Sequence, residues 1–282
     1  MIYLSTGGFY QRSAYQTVIE FAKYGICNIE LSGGIFDPNQ IDPLKKISSE
    51  INLQLHNYFP PPQDPFVLNL ASQNDNIRLR SIALAERALL LSSEIGANSY
   101  AIHAGFLIDP RVSELGRTAE IRVLSDRNTA IETFINSINY LATIAERLNL
   151  ILLIENNVVS KRNANQFSQN PFLMADPSEC KKIMSRLPCN VNLLIDVAHL
   201  KVSAKSLNFK PENMFSDCMD WIYGYHLSDN NGEEDANEVV TKTSWFWPFI
   251  NKNAEFFTVE VYEKNISTLL NQIDLVSNFL EK

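Results

Sequence analysis

Eight short apolar runs, each followed by an amphipathic stretch, constrain this chain more than any other feature of its sequence. The runs occupy residues 2–6, 27–32, 53–58, 99–104, 150–156, 191–197, 223–228 and 256–262. Runs such as LILLIE and VNLLID are apolar at nearly every position, the pattern of parallel strands covered on both faces. Between them lie helices with legible faces and ends. Over residues 131–148, Ile131, Phe134, Ile135, Ile138, Leu141, Ala142, Ala145 and Leu148 recur at spacings of three and four and fall on one stripe. Asp176-Pro177-Ser178-Glu179 reads as an N-cap, a proline in the first turn and a capping glutamate. Residues 13–24 end at Gly25, residues 74–95 end at Gly96, and residues 266–279 close the chain.

Eight such units, at about 35 residues each, predict an α/β fold: a closed parallel (β/α)8 barrel forming one domain over residues 1–282. An open doubly wound sheet carries a glycine-rich phosphate turn after its first strand. Here that turn reads STGGFYQ, without the required glycine spacing. Composition is that of an ordinary globular chain, with 45% hydrophobic and 20% charged residues. The net charge of −8 has the wrong sign for gripping a phosphate backbone, so nucleic acid is not expected as a partner. Cys27, Cys180, Cys189 and Cys218 show no metal-ligand spacing, and no apolar run reaches the roughly 18 residues of a membrane helix. The N-terminus lacks the basic flank and apolar stretch of a secretion signal. The expectation is a reduced, soluble, cytoplasmic protein with no membrane partner, compatible with a homo-oligomer.

Charge placement then points to chemistry. All four histidines, His56, His103, His199 and His226, fall at the C-terminal end of an apolar run or just past it. Carboxylates end the same runs: Glu155, Asp196, Asp229 and Glu260. A charge at the inner end of an apolar strand is costly to desolvate unless it is paired or bound to a cation. Because parallel barrel strands end at one face, Glu155, Asp196, His226 and Glu260 converge as a candidate divalent-metal site of three carboxylates and one imidazole. That donor set suits Mn, Co, Mg, Zn or Fe. His56 and His103 are candidates for a second ion, with Glu155 bridging. Each group taken singly also has a structural reading, as a buried histidine with its bonds satisfied or a carboxylate paired to a lysine.

The order of these groups resembles the xylose isomerase-like barrel superfamily, which includes sugar isomerases and epimerases and apurinic endonucleases of the endonuclease IV type. The resemblance runs from FAKYGICNIELSGG to TVEVY. It implies metal binding by a fifth-strand glutamate, a sixth-strand DxxH, a seventh-strand HxxD and an eighth-strand glutamate. Glu155, Asp196 with His199, His226 with Asp229, and Glu260 match these in turn. The endonuclease branch also carries a DxH motif, which appears here as Asp235-Ala236-Asn237, with asparagine in place of histidine. The ketose epimerase branch keeps an acid after the fifth-strand glutamate and an arginine after the seventh-strand histidine, and neither is present.

The resemblance implies a metal-dependent sugar or sugar phosphate isomerase or epimerase working through a metal-stabilised enediolate, with Glu155 and Glu260 exchanging the proton. His199, Asp229, Asp235 and Asn237 are then expected near substrate. The alternative is another metal-dependent lyase, hydrolase or oxidase on the same barrel, with the endonuclease reading ranked below both. Tyr58, Phe59, Phe106 and the segment Trp245-Phe246-Trp247 are read either as an aromatic rim for a sugar or, for the last segment, as a packed turn. Arg111, Arg117, Arg122, Lys161 and Arg162, in the stretches after the fourth and fifth runs, are read either as a phosphate clamp or as solvated surface charges.

Overall fold

The computed structural model describes residues 1–114, 117–167 and 169–281. Its eight strands are β1 (Ile2–Ser5), β2 (Asn28–Ser32), β3 (Asn52–His56), β4 (Ser99–His103), β5 (Ile151–Glu155), β6 (Val191–Asp196), β7 (Ile222–Leu227) and β8 (Phe256–Val259). They pair in sequence order, all parallel, and β8 closes on β1. Nine helices are described: α1 (Ala14–Ala22), α2 (Ile41–Ile47), α3 (Asp75–Glu94), α4 (Arg127–Arg147), α5 (Lys161–Gln166), α6 (Pro177–Met184), α7 (Val197–Leu207), α8 (Glu212–Asp217) and α9 (Ile266–Leu280). The expected single (β/α)8 barrel is therefore the observed architecture.

Local chemistry sets the helix starts. Ser13 and Gln16 form a reciprocal capping box at α1. Asp176 caps α6 by accepting from the Glu179 amide, with Pro177 in the first turn. The end of β6 matters most for the site. Asp196 is both the last strand residue and the N-cap of α7, its Oδ1 accepting the His199 amide at 2.7 Å. One carboxylate thus ends a strand, starts a helix and fixes the backbone that carries His199.

Alternation along each strand sorts the interior. Leu152 and Ile154 of β5 join the large core beneath the helices, whereas Leu153 belongs to a small cluster with Ala101, Leu194 and Phe256. Two residues further along the same strands come His103, Glu155, Asp196 and Thr258. A period of two therefore places an apolar layer directly below a polar one. Gly224, two residues before His226, keeps that layer packed: a Cβ there would stand 2.8 Å from Phe256 Cε1. Among the described residues, no helix is long and apolar enough to cross a membrane.

Candidate metal centre and adjoining cleft

Glu155, Asp196, His226 and Glu260 come together at the C-terminal mouth. Each offers one ligand atom, and those atoms all lie within 4.8 Å of one another. His226 Nδ1 is 2.8 Å from Glu260 Oε2, 3.7 Å from Glu155 Oε1 and 3.9 Å from Asp196 Oδ2. Glu155, Asp196 and His226 are fully buried, and Glu260 is 5% exposed. Three of the facing atoms, Glu155 Oε1, Asp196 Oδ2 and His226 Nδ1, have no hydrogen-bond partner. Orphaned buried polar atoms are expensive, and three converging on one point are accounted for by a shared cation. Ligand atoms about 2.1 Å from an ion stand roughly 3–4 Å apart, so the spacing and the donor set both fit a divalent metal.

His226 is aimed by groups behind it. Its Nε2 lies 3.1 Å from Glu30 Oε2, which also accepts from Gln54 Nε2 at 2.8 Å and Thr258 Oγ1 at 3.1 Å. A proton on Nε2, assigned from this hydrogen bond, frees the Nδ1 lone pair to face the three carboxylates. Glu30 is 1% exposed and was not among the sequence candidates. The signal was available: a charge in the middle of the apolar strand Asn28–Ser32.

The remaining candidates divide. His56 Nε2 is 2.5 Å from Glu155 Oε2, its Nδ1 is 3.1 Å from Ser32 Oγ, and His103 Nε2 is 3.2 Å from Glu155 Oε2. These two histidines and Glu155 form a second group with metal-ligand spacing. His199 bridges the Asn156 carbonyl, 3.0 Å from Nδ1, and Asp235 Oδ2, 3.1 Å from Nε2. Asp229 and Asn237 have their side chains engaged within and around the loop after β7. Asp229 is held by Lys201 Nζ at 2.6 Å and Ser244 Oγ at 2.7 Å. Asn237 donates to the Glu260 carbonyl at 3.0 Å, while its own carbonyl accepts from the Tyr262 amide. Both stitch the loop after β7 to its neighbours, and Asn237 fixes the backbone of Glu260.

Electrostatics follow from this crowding. Burial alone would raise the Glu155 carboxyl, but His103, His56 and His226 hold it well below the usual range. Burial, with the negative charges of Asp235, Glu155 and Glu260, pushes Asp196 up to about 7 against the pull of His199. His103 is driven down to about 4, by burial first and then by the other histidines. His199 and His226 are held well above the usual histidine range, because the carboxylates outweigh burial. With protons alone, the cluster offsets its carboxylates by charging His199 and His226 and by drawing a proton towards Asp196. A divalent cation supplies the same charge and would displace the proton from His226 Nδ1.

Beside the quartet lies a cleft of about 500 Å³. His103 and His199, which touch Glu155, line it with Asp235; Tyr58, Phe66, Phe106 and Phe172 supply apolar walls, and Arg117 and Arg162 line it too. Trp245, Phe246 and Trp247 are not part of it. They pack with Phe215, Phe249 and Phe279, so this segment is the packed turn rather than a sugar-facing rim. Phe59 is likewise wholly buried.

Residues 21–258 match the family model of the xylose isomerase-like TIM barrel. The chain belongs to that family. Among solved structures, a D-tagatose 3-epimerase-like protein is similar at a TM-score of 0.75 with 16% identity, covering 99% of this chain and 97% of that one. A D-psicose 3-epimerase from Clostridium cellulolyticum, solved with D-tagatose, gives 0.67 with 13% identity, covering 99% and 98%. A Thermus thermophilus protein soaked with zinc chloride gives 0.64 with 16% identity, covering 98% of each chain. No curated protein matches the sequence. At these identities the family likeness is one of fold, so the chemistry has to be argued from the site itself.

Proposed function

We propose that this family member is a divalent-metal-dependent isomerase or epimerase of a sugar or sugar phosphate, working by proton transfer at a carbon next to a carbonyl. The observation that carries the reading is the buried quartet of Glu155, Asp196, His226 and Glu260, with three facing atoms that no hydrogen bond satisfies. The 3-epimerase names of two similar structures support the substrate class.

A divalent ion held by the quartet would stabilise the negative charge that develops on substrate oxygens as the proton leaves. Glu155, kept ionised by the histidines around it, takes the proton from carbon, and the C–H electron pair moves towards the carbonyl oxygen. Glu260, three strands on from Glu155, relays a proton from water to the same carbon for epimerisation or to its neighbour for isomerisation. Exchange with water then resets both carboxyls. His199 faces the cleft, where a substrate hydroxyl would reach its Nε2 by taking the place of Asp235, while Asp196 and His226 would hold the ion. The aromatic walls shield the exchanged proton from bulk water.

The test has two parts. Elemental analysis of protein prepared without chelator should find a divalent ion near stoichiometry, lost in an Asp196→Asn, His226→Asn double variant. Turnover of a panel of aldoses, ketoses and their phosphates in D2O should place deuterium at the reacting carbon. Retention of the ion by the double variant, or turnover with no exchange at all, would overturn the reading.

A further inference from the structure

The outer end of the cleft carries a charge arrangement that proton transfer does not use. Arg117 and Arg162, 45 residues apart in sequence, both line it. They are brought together by built contacts. Arg162 Nη1 donates to Thr118 Oγ1 at 3.3 Å, the Ala119 amide donates to Asn163 Oδ1 at 3.3 Å, and Gln166 Nε2 donates to the Ala119 carbonyl. The segment beginning at Arg117 is thereby laid along α5 beside Arg162.

Carboxylates are not what this pairing serves. Arg12, Arg78, Arg80, Arg111, Arg122, Arg127 and Arg186 each have a carboxylate within ion-pair distance. Among the described residues no such pair involves Arg87, Arg117, Arg147 or Arg162, and of these four only Arg117 and Arg162 line the cleft. Glu114 and Glu234 line the cleft as well, neither within ion-pair distance of these arginines, and Glu114 takes Arg122 Nη2 at 2.6 Å and the amides of Arg111 and Glu120. Two guanidinium groups on the wall of one cleft, with no carboxylate partner among the described residues, are available to a bound anion. The same cleft is lined by Asp235 beside His199, whose own backbone is held by Asp196 of the quartet.

We infer that Arg117 and Arg162 form an anion subsite, and that the substrate is a carbohydrate carrying an anionic group, a phosphate or a carboxylate, at the end remote from the reacting carbon. This rests on the function proposed above for the inner end, but the anion preference itself does not need the metal. Such a ligand would span the cleft with its carbonyl end at Glu155 and Glu260 and its charge at the two arginines. Arg111 and Arg122, already paired, hold the loop rather than the ligand.

The probes are D-fructose, D-fructose 6-phosphate and D-fructuronate, titrated calorimetrically into wild type and an Arg117→Gln, Arg162→Gln variant, each both metal-loaded and chelator-treated. Wild type should bind at least one anionic sugar about tenfold or more tighter than D-fructose, as two charge-assisted contacts would give. The variant should lose that preference while keeping its fold by circular dichroism and its metal content. Preference for the phosphate alone identifies a sugar phosphate site, and preference for the uronate alone a sugar acid site. Equal affinity for all three sugars, no measurable binding of either anion, or a preference that survives in the variant overturns the inference. Failure of metal binding with the anion preference intact would instead strike only the proposed function.

Discussion

The two halves of the barrel mouth use the same residue types to opposite ends. On the β5 to β8 side, Glu155 Oε1, Asp196 Oδ2 and His226 Nδ1 face one another with no hydrogen-bond partners. On the β2 to β4 side, His56 has both ring nitrogens engaged and Gln54 donates to Glu30 and Thr258, while Glu30 Oε1 and, just past β3, Asn57 Oδ1 are without a partner. In one half the unpartnered atoms converge on one point, whereas in the other both ring nitrogens of His56 are engaged. A carboxylate or imidazole at a strand end is therefore not by itself a ligand. What distinguishes the ligand is a lone pair that the protein has aimed and then left unmet.

The largest effect should come from removing the charge both halves share. Glu155→Gln should lower turnover, or solvent deuterium exchange, by about 10²- to 10⁴-fold, the usual weight of a positioned general base, with further loss from weaker metal binding. Steady-state rates and elemental analysis on the same preparation check it. The sharper test of the comparison is stoichiometry. The asymmetry predicts one tightly held ion per chain, unchanged in His56→Gln. Two tightly held ions, falling to one in that variant, would break the comparison by making the β2 to β4 side a second metal site.

Glu30 comes next. It holds Nε2 of His226 from behind, so Glu30→Gln should weaken the ion by about 10- to 100-fold while leaving all four proposed ligands in place. Chelator competition measures the affinity. The ring-nitrogen NMR shifts of His226 in zinc-loaded protein report its tautomer independently of activity. An unchanged affinity with an unchanged tautomer would show that Glu30 serves the barrel interior only.

Much of this was legible in the sequence, for reasons that differ by element. Parallel strands buried on both faces leave long apolar runs, so the eight strands and their order could be read directly. Glu155, Asp196, His226 and Glu260 could be placed at one mouth because a parallel barrel ends its strands at one face. Glu30 was missed because it sits mid-strand, where a charge reads as an exception to an apolar run rather than as the end of one. Asp229 and Asn237 matched a family spacing, but their side chains turn to Lys201, Ser244 and the Glu260 backbone. Which way a loop carboxylate turns depends on contacts from distant segments, and spacing carries no information about those. The aromatic segment at Trp245 failed as a rim for the same reason: its partners, Phe215 and Phe279, come from α8 and α9.

Smaller effects should come from groups that hold loops. Lys201 and Asp229 are partly buried, and Asp229 also receives Ser244 and pairs its backbone with Glu238 across the loop after β7. Asp229→Asn should cost about 1–3 kcal/mol of stability in denaturant unfolding, as expected for a charge-assisted contact losing its charge. Metal content should not change. A loss of the ion without a loss of stability would move Asp229 from the loop to the site.

The smallest effect belongs to Glu114, in the loop that carries Arg117. Burial works against its charge, but the Arg111 and Glu120 amides and the Arg122 guanidinium outweigh it and hold the carboxyl down to about 2, below its ordinary 4.5. A depressed carboxyl contributes stability that is fully present above the unfolded value and is lost as pH falls towards the folded one. The melting temperature of wild type should therefore exceed that of Glu114→Gln near neutral pH. The gap should start to close below about pH 4.5 and continue to shrink towards pH 2, while other carboxylates move both proteins together. If the gap stays constant across that range, Glu114 acts through shape rather than charge. Its negative charge would then be uncommitted beside Arg117 and Arg162, and that end of the cleft would be less cationic than its contacts imply.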